Sequence, residues 1–375
     1  MVLEVTPEQI AEFYGFPKGA TGKGQQVAII TLGGGYREED LAAHFREHNR
    51  QAPSWKFVGV KGATNDPASP EAVAAFWDKL KQGGAPDAGD EQAIWTVEST
   101  MDVELVGTFA PGASIVVYGT KNTTDGIRAA FKAAIADPAT TVISCSWGFD
   151  EIENQKPVTA IDATLFAKAK ALGITIVASS GDDPSSTTPF PACSPNVLGC
   201  GGTTVSVSPR KETAWLDPKF HMGTGGGFSK TFSLPAWQQS ALKAWATQQK
   251  TPVPTGRAVP DVAAKADLEK GFTVTIGDIK IPVGGTSAAV PLWAALIALA
   301  NESLSKASPA ARRVGFVTPS LYADPTFHAV TSDITAGDNG RFKAGPGWDP
   351  CTGLGSPRAT DFIRAVSSAR GATAG

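Results

Sequence analysis

Short apolar runs rich in β-branched residues alternate, in the first half of the chain, with segments whose apolar residues recur at helical spacing. The apolar runs are residues 26–32, 114–119, 140–146 and 174–180. The helical segments include residues 37–50, 126–136 and 163–173. Alternation of buried strands with crossover helices is typical of a parallel sheet covered on both faces. The pattern predicts a doubly wound α/β fold with a mostly parallel sheet, whose sites lie beyond the carboxyl ends of the strands.

The second half of the chain is richer in glycine and proline and contains one clear hairpin, residues 271–283. Its Gly277-Asp278 pair suits a two-residue turn. The apolar segment Ala288–Ala300 follows, contains Pro291 and is too short to span a bilayer, so we expect a buried core helix. Without repeats or low-complexity tracts, residues 1–375 are interpreted as a single domain.

Composition excludes two classes of partner. The 36 acidic and 33 basic residues give a formal charge of −3, which provides no electrostatic footprint for nucleic acid or an anionic membrane. Residues 1–17 lack the regions of a signal peptide and indicate a helix capped by Thr6. The cysteines show no CxxC spacing, which argues against a zinc site. The sequence leaves two alternatives for them: a disulfide between Cys193 and Cys200, or four buried thiols.

Ser287 is a candidate nucleophile because it stands between a glycine pair, Gly284 and Gly285, and an apolar helix. The positive end of the helix would assist the hydroxyl, and the glycines would let a substrate backbone approach. A serine at this place is ordinarily a helix cap. A nucleophilic serine also needs a base, usually histidine. None of the four histidines, at positions 44, 48, 221 and 328, lies in a small, glycine-flanked sequence context. A histidine that the fold brings next to Ser287 stays an alternative base.

Carboxylates offer another base. Glu98 and Asp102 fall at i and i+4 on one face of an otherwise apolar helical segment. In a cleft, repulsion and desolvation would leave one carboxyl protonated, so the pair could exchange a proton with a hydroxyl. The alternative is a solvated stripe. Asp182 follows the apolar run 174–180 at a strand end, where it could hold a proton and donate to an oxyanion, or serve only as a turn residue.

Taken together, six motifs in order along the chain resemble the sedolisins, or serine-carboxyl peptidases, from about Thr6 to the carboxyl end. The motifs are Glu98-x-x-x-Asp102, Ser146-Trp147-Gly148, Ser180-Gly181-Asp182, PFPACSPNVLGCGGT, Gly285-Thr286-Ser287-Ala288 and GPGWDPCTGLGSP. The resemblance implies a subtilisin-like fold in which carboxyl groups replace the usual histidine and aspartate.

The resemblance also implies a role for each site residue. Ser287 would be the nucleophile, Glu98 its general base and then acid, Asp102 the partner that shares a proton with Glu98, and Asp182 the protonated oxyanion donor. Ser146, Trp147 and Gly148 would pair with the substrate backbone. A C-terminal loop region would bind Ca²⁺, a hard cation suited to oxygen ligands. Its ligands would be the side chains of Asp333 and Asp349 and the backbone oxygens of Ile334, Gly345 and Gly347.

The chain departs from the kumamolisin-like members of that family at several places. Thr31 stands where they carry a glutamate that extends the carboxylate network toward the position of Trp147, so we expect a shortened network. Pro189 stands where an acidic residue would shape the pocket for the substrate side chain before the cut. Residues 71–84 read as an amphipathic helix without a known counterpart, a candidate insertion that either lines the cleft or packs on the surface.

The leading hypothesis is an acid-acting serine-carboxyl endopeptidase that hydrolyses polypeptides through an acyl-enzyme. By resemblance it would be extracellular and monomeric, with its propeptide absent from this chain and a cleaved propeptide open as a further partner. Two hypotheses of other classes remain: a catalytically silent, calcium-stabilised binding domain, suggested by Thr31, and a histidine-dependent hydrolase of the subtilisin type. Tripeptidyl-peptidase action is the alternative to endopeptidase action.

Overall fold

A parallel sheet occupies the centre of the computed structural model, which describes residues 5–183, 188–307, 313–327 and 329–371. The strands, in chain order, are β1 (Gln26–Thr31), β2 (Ser54–Gly59), β3 (Ser114–Gly119), β4 (Thr140–Cys145), β5 (Phe149–Asp150), β6 (Thr175–Ser179), β7 (Pro189–Phe190), β8 (Leu198–Val207), β9 (Arg210–Ala214), β10 (Leu216–Asp217), β11 (Met222–Gly223), β12 (Gly227–Ser233), β13 (Gly256–Val259), β14 (Val262–Lys265), β15 (Phe272–Ile276), β16 (Ile279–Val283), β17 (Thr331–Ser332) and β18 (Ser356–Pro357). The main sheet of the described residues has eight strands, with the parallel order β14-β8-β6-β4-β1-β3-β2 and with β9 antiparallel to β8.

Both faces of this sheet are covered. Along β1, Val27 and Ile29 belong to one buried cluster, whereas Ala28 and Ile30 belong to another. Successive side chains of a strand point to opposite faces, so the two clusters lie on opposite sides of the sheet. The doubly wound α/β fold expected from the alternating runs is confirmed.

Helices supply both covering layers. In chain order they are α1 (Pro7–Tyr14), α2 (Glu38–Glu47), α3 (Pro70–Lys81), α4 (Glu91–Phe109), α5 (Thr124–Ala136), α6 (Gln155–Ile161), α7 (Ala167–Ala171), α8 (Gln239–Gln249), α9 (Thr286–Ala307), α10 (Thr318–Ala323) and α11 (Ala359–Gly371). A π-helical turn, Asp162–Phe166, joins α6 to α7. Thr6 caps α1 as expected, because its side chain accepts a hydrogen bond from the Gln9 amide.

Helix α9 is the core helix expected from the apolar segment Ala288–Ala300. It is long and apolar enough to cross a membrane, but 94% of its most apolar window is buried inside the protein. It packs on β4, β6, β8 and β14 and on helix α4. Helix α4 also contacts the sheet, at β1 and β3, so α4 and α9, which contains Ser287, lie next to each other on the same face of the sheet.

Three chain segments converge where α9 begins. The hairpin of β15 and β16, joined by Gly277 and Asp278, runs into Gly284 as expected. The neighbouring parallel strands β4 and β6 end just before Ser146 and Ser180. Since carboxyl ends of parallel strands meet at one edge of the sheet, the sequence-predicted site residues come together there.

The cysteines resolve an alternative that the sequence left open. Cys145, Cys193, Cys200 and Cys351 are all buried free thiols. No Cys193–Cys200 bridge is therefore formed.

Candidate active site

Ser287 lies in the first turn of α9. The residue is 8% exposed, and its Oγ donates a hydrogen bond to the backbone oxygen of Ser146 at 3.3 Å. Amides of a first helical turn have no intrahelical acceptor, and the helix N-terminus favours negative charge. The hydroxyl of Ser287 and its amide can thus act on the carbon and the oxygen of one carbonyl group.

Close approach of other groups explains the glycine pair before Ser287. Gly285 has φ 81°, and a Cβ there would lie 2.4 Å from Oδ2 of Asp182. A Cβ at Gly284 would lie 2.3 Å from the backbone oxygen of Ala266. The sequence suggested that these glycines admit a substrate backbone. The contacts present here are instead with the protein itself, and the one at Gly285 brings the Asp182 carboxyl to the start of α9.

Glu98 and Asp102 lie one turn apart on α4, which packs against α9. Asp102 is fully buried, and Glu98 is partly buried. Burial raises the pKa of Glu98 well above its usual range, and the negative charge of Asp102 raises it further, whereas the Ser287 hydroxyl acts in the opposite direction. Burial also raises the pKa of Asp102. The pair is therefore not a solvated stripe, and its environment disfavours two negative charges.

One oxygen of each carboxyl lacks a hydrogen-bond partner. Oε1 of Glu98 and Oδ2 of Asp102 are both buried without a partner among the described residues. An unsatisfied buried carboxyl oxygen is costly. A proton shared between the two carboxyls would give both oxygens a partner, which suits a pair that exchanges a proton with Ser287.

Ser146 connects the nucleophile to the carboxyl pair. Its Oγ donates to Oδ1 of Asp102 at 2.8 Å, and its backbone oxygen accepts from Ser287 Oγ and, at 3.0 Å, from Ser179 Oγ. The sequence assigned Ser146 only to substrate binding through its backbone. No local pattern reveals the contact with Asp102, since the two residues are 44 positions apart.

Asp182 contacts the residue that precedes the nucleophile, Thr286 at the start of α9. Its Oδ1 accepts hydrogen bonds from the amide and the hydroxyl of Thr286, each at 2.7 Å. Burial raises the pKa of Asp182, while the bonds from Thr286 lower it in part. Because Oδ1 is engaged as an acceptor, Oδ2 is the oxygen available to carry a proton.

The two other proposed substrate-binding residues directly follow Ser146. Trp147 is partly buried and its Nε1 is buried without a partner among the described residues, whereas Gly148 is exposed. A Cβ at Gly148 would lie 3.0 Å from Cβ of Pro189, so the Pro189 position borders this segment. Thr31 forms a 2.6 Å hydrogen bond with Ser99, and it carries no carboxyl.

None of the described histidines forms a hydrogen bond with Ser287, although His221 lines the cavity that Glu98 and Asp182 also border. Nδ1 of His44 lies 3.3 Å from Oε2 of the buried Glu104 carboxyl, and the ring of His48 packs against the ring of His44. His221 is exposed, and the fourth histidine, His328, lies outside the described residues. The hydrogen bonds of the Ser287 hydroxyl in the described part of the chain thus include no imidazole.

The two loops expected to bind a metal lie against each other. The Gly345 amide donates to Oδ2 of Asp349 at 3.1 Å, and the Gly347 amide donates to Oδ2 of Asp333 at 2.8 Å. Asp349 is buried, which raises its pKa to about 6, and Asp333 is exposed. Neither carboxylate has an ion pair with a basic side chain of the described residues. Ile334, the remaining predicted ligand, is 4% exposed and follows Asp333 directly.

The two carboxylates do not make a metal site by themselves. Among the described residues, no group of three or more His, Cys, Asp or Glu side chains is close enough to hold a metal ion. A cation here would need backbone oxygens besides Asp333 and Asp349. Two carboxylates without a basic partner, on adjacent loops, fit that requirement of a hard cation.

A cavity of about 550 Å³ opens beside Glu98 and Asp182. One of its walls comes from α3 and the segment after it, through side chains that include Phe76, Trp77 and Leu80. Residues 71–84 therefore line the cleft, which decides between the two placements considered from the sequence. The helix itself runs from Pro70 to Lys81.

Comparison with known proteins gives a consistent family. The model of the subtilase family matches residues 84–330. Kumamolisin from Bacillus sp. (strain MN-32) is 39% identical over 380 residues, which cover 96% of this chain and 63% of kumamolisin. Tripeptidyl-peptidase sed1 from Aspergillus fumigatus is 29% identical over 422 residues, covering 94% of this chain and 63% of that protein. The chain thus spans 63% of the length of each of these relatives.

Solved structures agree at the level of the fold. A Pseudomonas sedolisin, a serine-carboxyl proteinase complexed with two molecules of pseudo-iodotyrostatin, superposes with a TM-score of 0.75 at 24% identity, covering 97% of this chain and 98% of that one. The PatG macrocyclase in complex with a peptide gives a TM-score of 0.61 at 14% identity, covering 98% and 99%.

Proposed function

The chain belongs to the subtilase family, and we propose that it is a kumamolisin-like sedolisin and acts as an acid-acting serine-carboxyl endopeptidase. Ser287 is the nucleophile, Glu98 the general base and acid, Asp102 its proton-sharing partner and Asp182 the oxyanion donor. The observation that carries the proposal is the surrounding of Ser287. Glu98 interacts with its hydroxyl, and Asp102 and Asp182 bond to the adjacent residues Ser146 and Thr286, whereas the hydrogen bond of this hydroxyl in the described part of the chain goes to Ser146 and not to a histidine.

In the acylation step, Ser287 Oγ attacks the carbonyl carbon of the scissile bond as its proton passes to Glu98. Negative charge develops on the carbonyl oxygen, where the proton on Asp182 Oδ2 and the Ser287 amide can donate. When the tetrahedral intermediate collapses, Glu98 returns the proton to the leaving nitrogen, and the carbon–nitrogen bond breaks. Water then attacks the acyl carbon as Glu98 takes its proton, the bond between that carbon and Ser287 Oγ breaks, and Glu98 returns the proton to Oγ as the acid product leaves.

The environment of each carboxyl supports operation in acid. Asp182 can donate only while it is protonated, so its function is lost as the pH rises through its elevated pKa. Glu98 must accept a proton, which requires that it and Asp102 together hold no more than one. Asp102 stabilises that state because it keeps the shared proton within the pair, and Ser146 fixes its orientation.

We assign Ca²⁺ to the adjacent loops at the carboxyl end. Asp333 and Asp349 would hold it with backbone oxygens of Ile334, Gly345 and Gly347. When bound, the ion supplies charge neutralisation for two carboxylates and a cross-link between two loops. The reaction uses no part of these loops.

Several further properties belong to the same proposal. The substrates are polypeptides, whose backbone pairs with Ser146, Trp147 and Gly148. An enzyme that needs a protonated Asp182 suits an acidic medium, and the extracellular location is proposed from the resemblance to the sedolisins. We expect a monomer, to be checked by sedimentation, and secretion is tested by fractionating the producing culture.

Digestion of a peptide library over pH 3 to 8, with every product sequenced, tests the proposed function. Wild type and Ser303→Ala, which removes a hydroxyl elsewhere on α9, should cleave at acid pH. Ser287→Ala should not. Cuts inside the peptides support endopeptidase action, whereas release of amino-terminal tripeptides alone would assign the activity named for the sed1 relative. No cleavage by wild type at any pH would leave the silent binding domain.

A further inference from the structure

The cavity beside the reacting groups is large and mainly apolar, and nothing in the proposed chemistry uses it. Its volume of about 550 Å³ falls in the range typical of ligand-binding pockets. Trp77 and Leu80 from α3 line it together with Ile94 and Met101 from α4 and Ile281 from β16. Glu98 and Asp182 border the same space, so the cavity is continuous with the catalytic centre.

The position of this cavity assigns it to one side of the scissile bond. Ser146, Trp147 and Gly148 are absent from its lining, although Ser146 contacts Ser287 directly. Glu98 does line it, and in the proposed reaction Glu98 hands its proton to the leaving nitrogen. The space next to Glu98 therefore receives the residue that carries this nitrogen.

The walls are already held together without a ligand. The turn of the β15–β16 hairpin approaches the start of α3 so closely that a Cβ at Gly277 would lie 2.8 Å from Cγ of Pro70. At the other end of α3, Nζ of Lys79 bridges Asp87 and Asp90, each at 2.6 Å, and so ties the connecting segment to the start of α4. The cavity is a preformed subsite.

We propose that this cavity, walled by the helix Pro70–Lys81, binds a bulky apolar side chain on the residue that follows the scissile bond. The assignment to that residue rests on the proposed peptidase function. Complete burial of an aromatic or branched aliphatic side chain contributes about 1.5–3 kcal/mol, enough for a preference of roughly tenfold or more over glycine.

A binding experiment tests this subsite without requiring turnover. The probes are two amidated tripeptides, Phe-Ala-Ala and Gly-Ala-Ala, which represent leaving groups, titrated into the Ser287→Ala protein by calorimetry. We expect the Phe probe to bind about tenfold more tightly or better. Adding Leu80→Arg should abolish the difference, because it places a permanent charge in the cavity. Adding Ala75→Arg, which puts the same charge on the exposed side of α3, should preserve it.

Equal binding of the two probes would overturn the subsite, as would a preference that survives Leu80→Arg or is lost in both arginine variants. Trp77→Ala provides a second variant, expected to reduce the preference if Leu80→Arg fails to fold. The kcat/KM of wild type on peptides that differ only after the cut should show the same preference. Absence of all cleavage would refute the peptidase function, whereas cleavage without this preference would refute the subsite alone.

Discussion

At the scale of single residues, the account depends on carboxyl groups that burial keeps from ionising. Asp182 is the clearest case, since Thr286 engages its Oδ1 and the absence of a side chain at Gly285 leaves room for its Oδ2. A carboxyl held in this way donates a hydrogen bond only in its protonated form. Asp182 therefore stops acting as a hydrogen-bond donor once the pH rises above its pKa.

Two substitutions of Asp182 should differ in both rate and pH dependence. Asp182→Ala removes the donor and should lower kcat by about 10²–10³. Asp182→Asn keeps an acceptor for Thr286 and a donor at every pH, so it should lose less rate and decline less steeply toward neutral pH than wild type. The measurement is kcat against pH, with Asp183→Asn, a change at the neighbouring exposed carboxyl, as control. Identical alkaline limbs for Asp182→Asn and wild type would contradict the donor role.

Ser287 gives the second prediction at this scale. Ser287→Ala removes one oxygen from the start of α9 and should lower kcat on the order of 10⁶-fold, the loss typical of removing a nucleophilic serine. Thermal unfolding should change little, because Thr286 and Asp182 still interact at the helix start. Residual turnover close to that of Ser303→Ala, in preparations free of other proteases, would refute the assignment.

Sequence alone predicts some of these residues and misses others for a physical reason. Glu98 and Asp102 lie on one helix, so their i, i+4 spacing predicts that both side chains are on the same face. The hydrogen bond from Ser146 to Asp102 joins residues from different elements. Likewise, the need for Gly285 comes from a carboxyl more than 100 positions away. Such contacts exist only once the sheet has assembled.

At the scale of elements, the alternation of apolar runs and helices predicts the centre of the sheet well. It misses β2, β8, β9 and β14. β8 contains Gly199, Gly201 and Gly202, and glycine is depleted in strands, so its pattern resembles a loop. β2 has no fully buried position at the edge of the sheet. In such strands, packing against the neighbouring strands outweighs the low β-propensity of the sequence.

The adjacent carboxyl-terminal loops carry the prediction that belongs to this scale. Calcium bound only to the native state stabilises it, by about 2.7 kcal/mol at a free concentration 100 times Kd. Excess chelator should therefore lower Tm, and added Ca²⁺ should restore it. Asp333→Ala should make Tm insensitive to chelator. Asp338→Ala, a change in the same loop region, should leave the response intact.

An unchanged Tm in excess chelator, with no metal found by elemental analysis, would contradict the calcium assignment. That result would leave the peptidase chemistry untouched, because Asp333 and Asp349 take no part in it. Equal chelator sensitivity of Asp333→Ala and wild type would instead place the ion elsewhere.

At the scale of the whole molecule, buried carboxyls should make stability depend on pH in an unusual direction. Burial raises the folded-state pKa of Asp102 above its unfolded value of about 3.9. Its contribution is fully present below that unfolded value and is lost as the pH rises through the folded pKa. Each unit of elevation corresponds to about 1.36 kcal/mol. Glu98, Glu104 and Glu212 act in the same sense.

Asp102→Asn in the Ser287→Ala background should therefore raise Tm at pH 8 and change it much less at pH 4. The amide does not ionise and can still accept the hydrogen bond from Ser146. Asp78→Asn, at an exposed carboxyl, should shift Tm little at either pH. Thermal unfolding followed by circular dichroism provides the comparison. An equal shift at both pH values would show that Asp102 does not titrate as described.

The pH dependence of kcat/KM for the wild-type enzyme on one peptide tests the central claim, activation of Ser287 by carboxyls, most directly. The account predicts a bell in the acid range. Its acid limb belongs to the Glu98–Asp102 pair and its alkaline limb to ionisation of Asp182. Activity that is absent in acid and rises to a plateau at neutral or alkaline pH is the signature of a histidine base, and it would contradict this account.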